Sequence, residues 1–128
     1  MSPPVRPKGE HRRTQPAGTP GSPAPAPLLV VTTVGSAEQA RALARAMVEQ
    51  RLAACAQISA IESLYRWQGA VEHAPEWRVL FKTRADGYAA LEAAIRARHP
   101  YELPAIHAIA TQQAHAPYAE WVDESTSG

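Results

Sequence analysis

Residues 51–56, RLAACA, join the end of an amphipathic helix to the start of a strand. Before this junction, from Ala37 to Leu52, apolar residues recur at spacings of three and four, as on the buried face of a helix. After it, residues 54–67 have the pattern of an extended chain and contain Cys55, the single cysteine. The junction therefore predicts a helix followed at once by a strand, and the other elements extend from it in both directions.

The segments around this junction predict most of a sheet. Residues 28–34, LLVVTTV, form a β-branched run typical of a buried strand, and Ser36 after it suits a helix N-cap. Two alternating runs flank Gln68-Gly69, which suits a tight turn, and they predict a hairpin whose strands exceed the usual ~5–6 residues. Within this hairpin we expect a bend or bulge near residues 59–61 and an irregularity at residues 74–75.

The second half of the chain predicts two further helices and one strand. Asp86 caps a helix that Pro100 ends, residues 105–112 follow as a strand, and Pro117 opens a short terminal helix. The order β-α-β-β-α-β, with a small helix added, predicts a ferredoxin-like α+β sandwich whose two main helices cover one face of an antiparallel sheet. The open face and the long strand edges favour a closed homo-oligomer.

Composition divides the chain into a tail, residues 1–27, and a domain, residues 28–128. The tail contains eight prolines and, after Met1, only one hydrophobic residue larger than alanine, Val5. Such a segment buries too little apolar surface to offset its ordering entropy, so we expect it to be disordered. The tail carries four Lys and Arg against one Glu, a net charge of 4 − 1 = +3, whereas the domain carries nine against eleven carboxylates, 9 − 11 = −2.

These charges and the single cysteine narrow the class of protein. Basic residues of the domain alternate with carboxylates instead of clustering, which argues against nucleic acid as the main partner. The chain lacks the apolar region of a signal peptide and any stretch long enough to span a membrane. One cysteine excludes an internal disulfide and a cysteine cage for zinc within one subunit. We therefore expect a cytoplasmic protein without a membrane or nucleic-acid partner.

A series of short motifs across residues 28–124 resembles the CutA family of divalent-cation tolerance proteins. The motifs are Val31-Thr32-Thr33, residues 51–55 (RLAAC), residues 63–69 (SLYRWQG), Glu76, residues 81–83 (FKT), residues 99–104 (HPYELP), and Tyr118 with Trp121. The resemblance implies trimeric ferredoxin-like subunits, a cytoplasmic location, tolerance to divalent cations and copper binding. Two positions depart from the family pattern, since Ala105 stands where the family usually has glutamate and Gly35 where it commonly has proline. Any role of that glutamate is therefore not carried over.

His99 and Lys82 are the candidate residues with the clearest chemistry. His99 ends a helix, and a neutral imidazole there can ligate copper, although a helix end that simply contains a histidine has the same sequence. Lys82 is the single lysine of residues 28–128, beside eight arginines, which indicates a need for a compact ammonium of adjustable pKa. A strand-end lysine that reaches water is the alternative.

The remaining candidates include one carboxylate on the same strand as Lys82. Glu76 shares its strand parity, but six residues at ~3.3 Å separate the two by about 20 Å, so they act together only across a subunit boundary. The other pocket candidates are Cys55, Tyr65, Trp67, Tyr101, Glu102 and Trp121. The cysteine and the tryptophans are also consistent with core or interface packing.

Three functions remain open from the sequence. The first is a homotrimer that binds a divalent metal, above all Cu(II), through His99, without an organic cofactor. The second is a trimeric sensor that binds a small anion between subunits with Lys82 and arginines. The third is an enzyme with Lys82 and Glu76 at an interface, which is less favoured because the chain has no nucleophile elbow, phosphate loop or zinc-ligand spacing.

Overall fold

The computed structural model describes residues 24–127, which form four strands and three helices. The strands are β1 (Leu28–Val34), β2 (Cys55–Trp67), β3 (Ala70–Thr83) and β4 (Ile106–Ala110), and the helices are α1 (Ala37–Glu49), α2 (Tyr88–Arg98) and α3 (Ala116–Ser125). This order confirms the predicted α+β class. The disordered tail predicted for residues 1–27 falls mainly on residues 1–23, which lie outside the described residues, so it stays a prediction.

Helix α1 begins and ends through identifiable local contacts. The Ser36 side chain accepts a hydrogen bond from the Gln39 amide at 3.1 Å, and the Gln39 side chain accepts one from the Gly35 amide at 3.2 Å. This reciprocal arrangement resembles a capping box and satisfies amides that the first turn leaves without partners. At the other end, Arg51 adopts a φ of 61°, in the left-handed region, and this turns the chain out of the helix toward β2.

The four strands form one antiparallel sheet in the order β2-β3-β1-β4. β2 and β3 pair without interruption from Cys55 with Lys82 to Trp67 with Ala70, so the bulge and the irregularity expected in this hairpin are wrong. An extra residue would have moved every side chain beyond it to the other face. Pro75 is accommodated because β3 has only one neighbouring strand at that point, as at a sheet edge.

The hydrophobic core lies between this sheet and helices α1 and α2. Alternation along the strands turns one face toward the helices, and the buried side chains that meet there include Val30, Val34, Val79, Phe81, Leu43, Met47, Leu91 and Ile95. Full burial of a side chain of this size contributes roughly 1.5–3 kcal/mol. No helix within residues 24–127 is long and apolar enough to cross a membrane.

Helix α3 covers part of the opposite face of the sheet. Lys82 follows the buried Phe81 on β3 and therefore points away from the core, and its Nζ lies 5.7 Å from the centroid of the Tyr118 ring near the start of α3. Ala119 and Val122 of the same helix are buried. The face expected to be open is therefore covered near Lys82.

The β2–β3 hairpin extends beyond the rest of the sheet. β1 ends opposite Trp77, so residues 61–76, which we call the hairpin arm, project by about seven residues per strand, or ~23 Å. The turn at the tip includes Gly69 with a φ of 83°, as in the two-residue turns that match strand twist. Leu64 and Val71 on the arm are 69% and 64% exposed. The predicted long hairpin is confirmed, and it displays apolar side chains to solvent.

Candidate functional site

His99 anchors the loop that follows α2. Because Pro100 disfavours helical geometry at the preceding residue, His99 is extended, with φ of −73° and ψ of 134°, and the helix ends there. Its Nε2 lies 2.8 Å from the Thr33 carbonyl oxygen and 3.1 Å from the Thr32 hydroxyl, while its Nδ1 accepts the Tyr101 amide at 3.1 Å. A carbonyl oxygen only accepts, so we assign the proton to Nε2 and the ring is neutral.

The surroundings of His99 favour this neutral form. Burial lowers the pKa of the imidazole below its usual value, and the hydrogen bond to Thr33 and the carboxylate of Glu76 offset part of that effect. Both ring nitrogens have partners, so a metal ion at His99 must replace one of these hydrogen bonds. Nδ1 is the atom available to bind a metal ion, because its lone pair accepts a hydrogen bond only from the Tyr101 backbone amide.

Tyr101 extends the hydrogen bonding from His99 to β3. Its hydroxyl donates to Glu76 Oε2 at 2.8 Å, and its ring lies 4.9 Å from the His99 ring, centroid to centroid. A Cβ atom at Gly35 would lie 3.4 Å from the Tyr101 oxygen, an ordinary van der Waals contact, so the position of Tyr101 does not require a glycine there. Burial, and then the hydrogen bond to Glu76, raise the pKa of Tyr101 to about 12, with a smaller effect of Tyr65 nearby. His99, Tyr101, Glu76 and Tyr65 form one group, which we call the His99 cluster.

Lys82 lies at the other end of β3. It pairs across strands with Cys55 and faces the Tyr118 ring, which lies 6.2 Å from the Trp121 ring, centroid to centroid. We call these four residues the Lys82 end. Six residues along the uninterrupted strand, about 20 Å, separate Lys82 from Glu76. The two side chains therefore cannot act on one substrate atom within a single chain.

The last two predicted site residues are exposed and belong to neither group. Trp67 lies at the tip of the hairpin arm and is 43% exposed, and Glu102 lies exposed in the loop between α2 and β4. The predicted residues therefore occupy four places in one chain. Within residues 24–127, no group of three or more His, Cys, Asp and Glu side chains is arranged to hold a metal ion.

Two contacts of the site were not anticipated from the sequence. The Thr33 carbonyl oxygen holds His99, and the Tyr118 ring faces Lys82. Both residues belong to motifs quoted above, but a backbone acceptor leaves no signal in the pattern of side chains. The partner of Lys82 depends on where α3 packs, and the sequence of this short helix does not indicate its packing position.

Comparison with known proteins defines the class. A family model described as "CutA1 divalent ion tolerance protein" matches residues 28–125, which is more than half of the chain. The chain therefore belongs to the CutA1 divalent ion tolerance family, and the resemblance drawn from its motifs is confirmed.

Individual relatives agree over most of the chain. The divalent-cation tolerance protein CutA of Thermus thermophilus is 40% identical over 99 residues, which are 77% of this chain and 96% of the relative. Protein CutA of Homo sapiens is 40% identical over 88 residues, 68% of this chain and 49% of the relative. The solved structure of a periplasmic divalent cation tolerance protein CutA from Archaeoglobus fulgidus, 32% identical, matches with a TM-score of 0.77 over 79% of this chain and 99% of that chain.

Proposed function

We propose that the protein is a cytoplasmic homotrimer that binds a divalent metal ion, above all Cu(II), through His99 and contributes to the response to metal ions. The observation that carries this proposal is the His99 cluster, in which an imidazole nitrogen, a phenol and a carboxylate converge at one end of the sheet. Imidazole nitrogen and carboxylate oxygen are ligands that suit Cu(II). Membership of a family described by divalent ion tolerance supports the same class of ligand.

His99 Nδ1 and the Glu76 carboxylate are the groups of this chain that would hold the metal. The Tyr101 hydroxyl orients the carboxylate by donating to Oε2, as partners of metal ligands commonly do. Further ligands would come from a neighbouring subunit, because the part of the chain that the structure describes offers no group of three or more His, Cys, Asp and Glu. The metal site therefore depends on assembly.

Assembly is supported by the hairpin arm. Tyr65 and Trp67 on this arm are 44% and 43% exposed, in addition to Leu64 and Val71. A two-stranded ribbon with uncovered apolar side chains is marginally stable in water. Three copies that close on one another would cover these side chains and the strand edges, and would give each His99 cluster access to the next subunit.

Calorimetric titration of the full chain with Cu(II) tests the proposal, after light scattering has established a mass of three times 13.8 kDa. His99→Ala should lose most of the binding heat, whereas His115→Ala should keep it, because His115 is exposed and its side chain makes no capping bond to α3. Binding should also weaken as the pH falls, since protonation of the imidazole competes with the metal. Equal titration curves for wild type and His99→Ala would remove copper from this site.

Binding of a small oxyanion between subunits is a second candidate function, and Lys82 favours it. None of the ion pairs among residues 24–127 involves its ammonium group, which faces the Tyr118 ring instead. A half-buried ammonium without a carboxylate partner attracts an anion. Anion binding should hold or strengthen as the pH falls, whereas metal binding should weaken, so titration of each ligand at two pH values separates the functions.

A further inference from the structure

Arg51 holds the end of α3. Its Nε donates to the Ser127 carbonyl oxygen at 2.7 Å, and its Nη2 donates to the Glu124 carbonyl oxygen at 2.9 Å. The last turn of a helix leaves such carbonyl groups without partners inside the helix, and together they carry a partial negative charge. The guanidinium of Arg51 therefore occupies the negative end of α3.

Two further cations face α3 from the end of β3. Arg84 Nη2 lies 3.4 Å from Asp123 Oδ1, and Lys82 Nζ lies 5.7 Å from the centroid of the Tyr118 ring. At 1.5 Å per residue, α3 rises about 9 Å from Tyr118 to Glu124, so the three cationic groups are spread over roughly that length. One oxyanion, whose oxygens accept hydrogen bonds at ~2.7–2.9 Å, does not span this length, so the long side chains of Lys82, Arg51 and Arg84 must turn inward to meet around it.

We propose that Arg51, Lys82 and Arg84 form a binding site for a phosphate-type oxyanion, and that the last turn of α3 covers this site. The inference rests on the second candidate function, anion binding at Lys82. In the covered state, two carbonyl oxygens and the Asp123 carboxylate stand where the oxygens of the anion would bind. Ala119 and Val122 are 3% and 1% exposed, so their apolar contact persists and only the turn after Val122 needs to move.

The charges on both sides of this contact fit a cover. α3 contributes Asp123, whose Oδ1 lies 3.4 Å from Arg84 Nη2, while the body of the domain adds Asp86, whose Oδ1 lies 2.6 Å from Arg84 Nε. With α3 in place, three cations meet these two carboxylates, a net charge of 3 − 2 = +1. Without Asp123, the net charge is 3 − 1 = +2. The cover therefore lowers the positive charge that attracts an anion to the site.

The test compares two variants of the full chain in their affinity for inorganic phosphate. Asp123→Asn weakens the contact between α3 and Arg84, whereas Asp86→Asn removes a carboxylate from the same arginine and leaves α3 untouched. Both variants lose one negative charge and keep all three cations. Titration calorimetry at low ionic strength gives the phosphate affinity, and hydrogen exchange of the amides after Val122 reports how often the cover opens.

We expect Asp123→Asn to exchange these amides faster and to bind phosphate up to about fivefold more tightly. An exposed ion pair shifts an equilibrium by at most about that factor, and apparent affinity scales with the population of the uncovered state. Asp86→Asn should leave the exchange unchanged and gain less affinity. Lys82→Ala should lose phosphate binding.

Several outcomes would overturn the cover. Unchanged amide exchange in Asp123→Asn would mean that the carboxylate does not hold the turn. Equal gains of phosphate affinity in Asp123→Asn and Asp86→Asn would mean that the lost negative charge, and not the opening of the turn, raises the affinity. If phosphate binding requires Lys82 but is unchanged in Asp123→Asn, the last turn of α3 does not cover the site. Anion binding at Lys82 would still be supported. Absence of phosphate binding in wild type and in both Asn variants would remove the second candidate function together with the inference.

Discussion

Replacing Tyr101 with phenylalanine removes the hydroxyl that joins the loop after α2 to β3, and it leaves the ring in place. The lost contact is a 2.8 Å hydrogen bond from a neutral phenol to the Glu76 carboxylate. Hydrogen bonds to charged groups contribute about 1.5–3 kcal/mol. Tyr101 is 37% exposed, so water screens the bond and takes its place in the variant. We therefore expect Tyr101→Phe to lower the free energy of unfolding by about 1 kcal/mol.

The same hydrogen bond predicts how stability depends on alkaline pH. Burial and the contact with Glu76 raise the pKa of Tyr101 to about 12 from 10.0, so folding favours the neutral phenol. The stabilisation is fully present below pH 10 and is lost as the pH rises from there through about 12. Two pKa units correspond to ~2.7 kcal/mol without screening, and solvent exposure of the ring reduces this to about 1 kcal/mol.

Urea unfolding of wild type and Tyr101→Phe, at one protein concentration and near pH 8 and pH 11, measures both effects. The difference between the two proteins should be about 1 kcal/mol near pH 8 and about half of that near pH 11, midway between the two pKa values. Tyr118→Phe, which removes a phenol at the opposite end of β3, is the control for the absorbance of phenolate. Equal stability of wild type and Tyr101→Phe near pH 8 would refute the reasoning.

Three further predictions concern His99, the turn before α1, and the hairpin arm. Because folding lowers the pKa of His99, its contribution to stability is complete above pH 6.5 and is lost as the pH falls below that value. In urea unfolding, the loss of stability at low pH should remain in His115→Ala and be absent from His99→Gln. Gly35→Ala should raise the free energy of unfolding by up to ~1 kcal/mol, since the new Cβ meets atoms at 3.4 Å or more and alanine restricts the unfolded chain; a lower melting temperature would contradict this. Val79→Asp should prevent folding because it buries an unpaired carboxylate in the core, whereas Leu64→Asp should keep the native circular dichroism and reduce the mass measured by light scattering. A Leu64→Asp protein of unchanged mass would exclude this side chain from the assembly contact.

Local signals in the sequence were sufficient for most of the fold, although the cap expected at Asp86 is wrong, since Gly87 is the N-cap residue of α2 and the Asp86 carboxylate pairs with Arg84. Ser36 caps α1 through the Gln39 amide, and Pro100 ends α2 at His99, because each of these effects acts within a few residues. The Gly at position 69 adopts the positive φ that the turn needs. The number of residues between Glu76 and Lys82 likewise predicted their separation correctly, since an uninterrupted strand has a fixed rise per residue.

Features that depend on packing could not be read in this way. The uneven alternation near Ser59 suggested a bulge, but residues 59 and 60 are both exposed, so no core imposes a strict pattern there. A helix C-terminus favours a charged imidazole, and so does the hydrogen bond from His99 to the Thr33 carbonyl oxygen, yet burial outweighs both and lowers the pKa of His99. The position of α3 on the second face follows from tertiary contacts that begin with Arg51 and Arg84, far away in the sequence.

The hairpin arm also determines how an unassembled chain would behave. It consists of two strands without a second layer, so an unassembled chain gains little by ordering it. Under the proposed trimer, only association covers its apolar side chains, and the order of the arm then depends on protein concentration. We expect the sandwich to stay folded on dilution while the arm opens, and a protease to cut first between Leu64 and Val71. The rate of that cleavage therefore measures the fraction of chains that have not assembled.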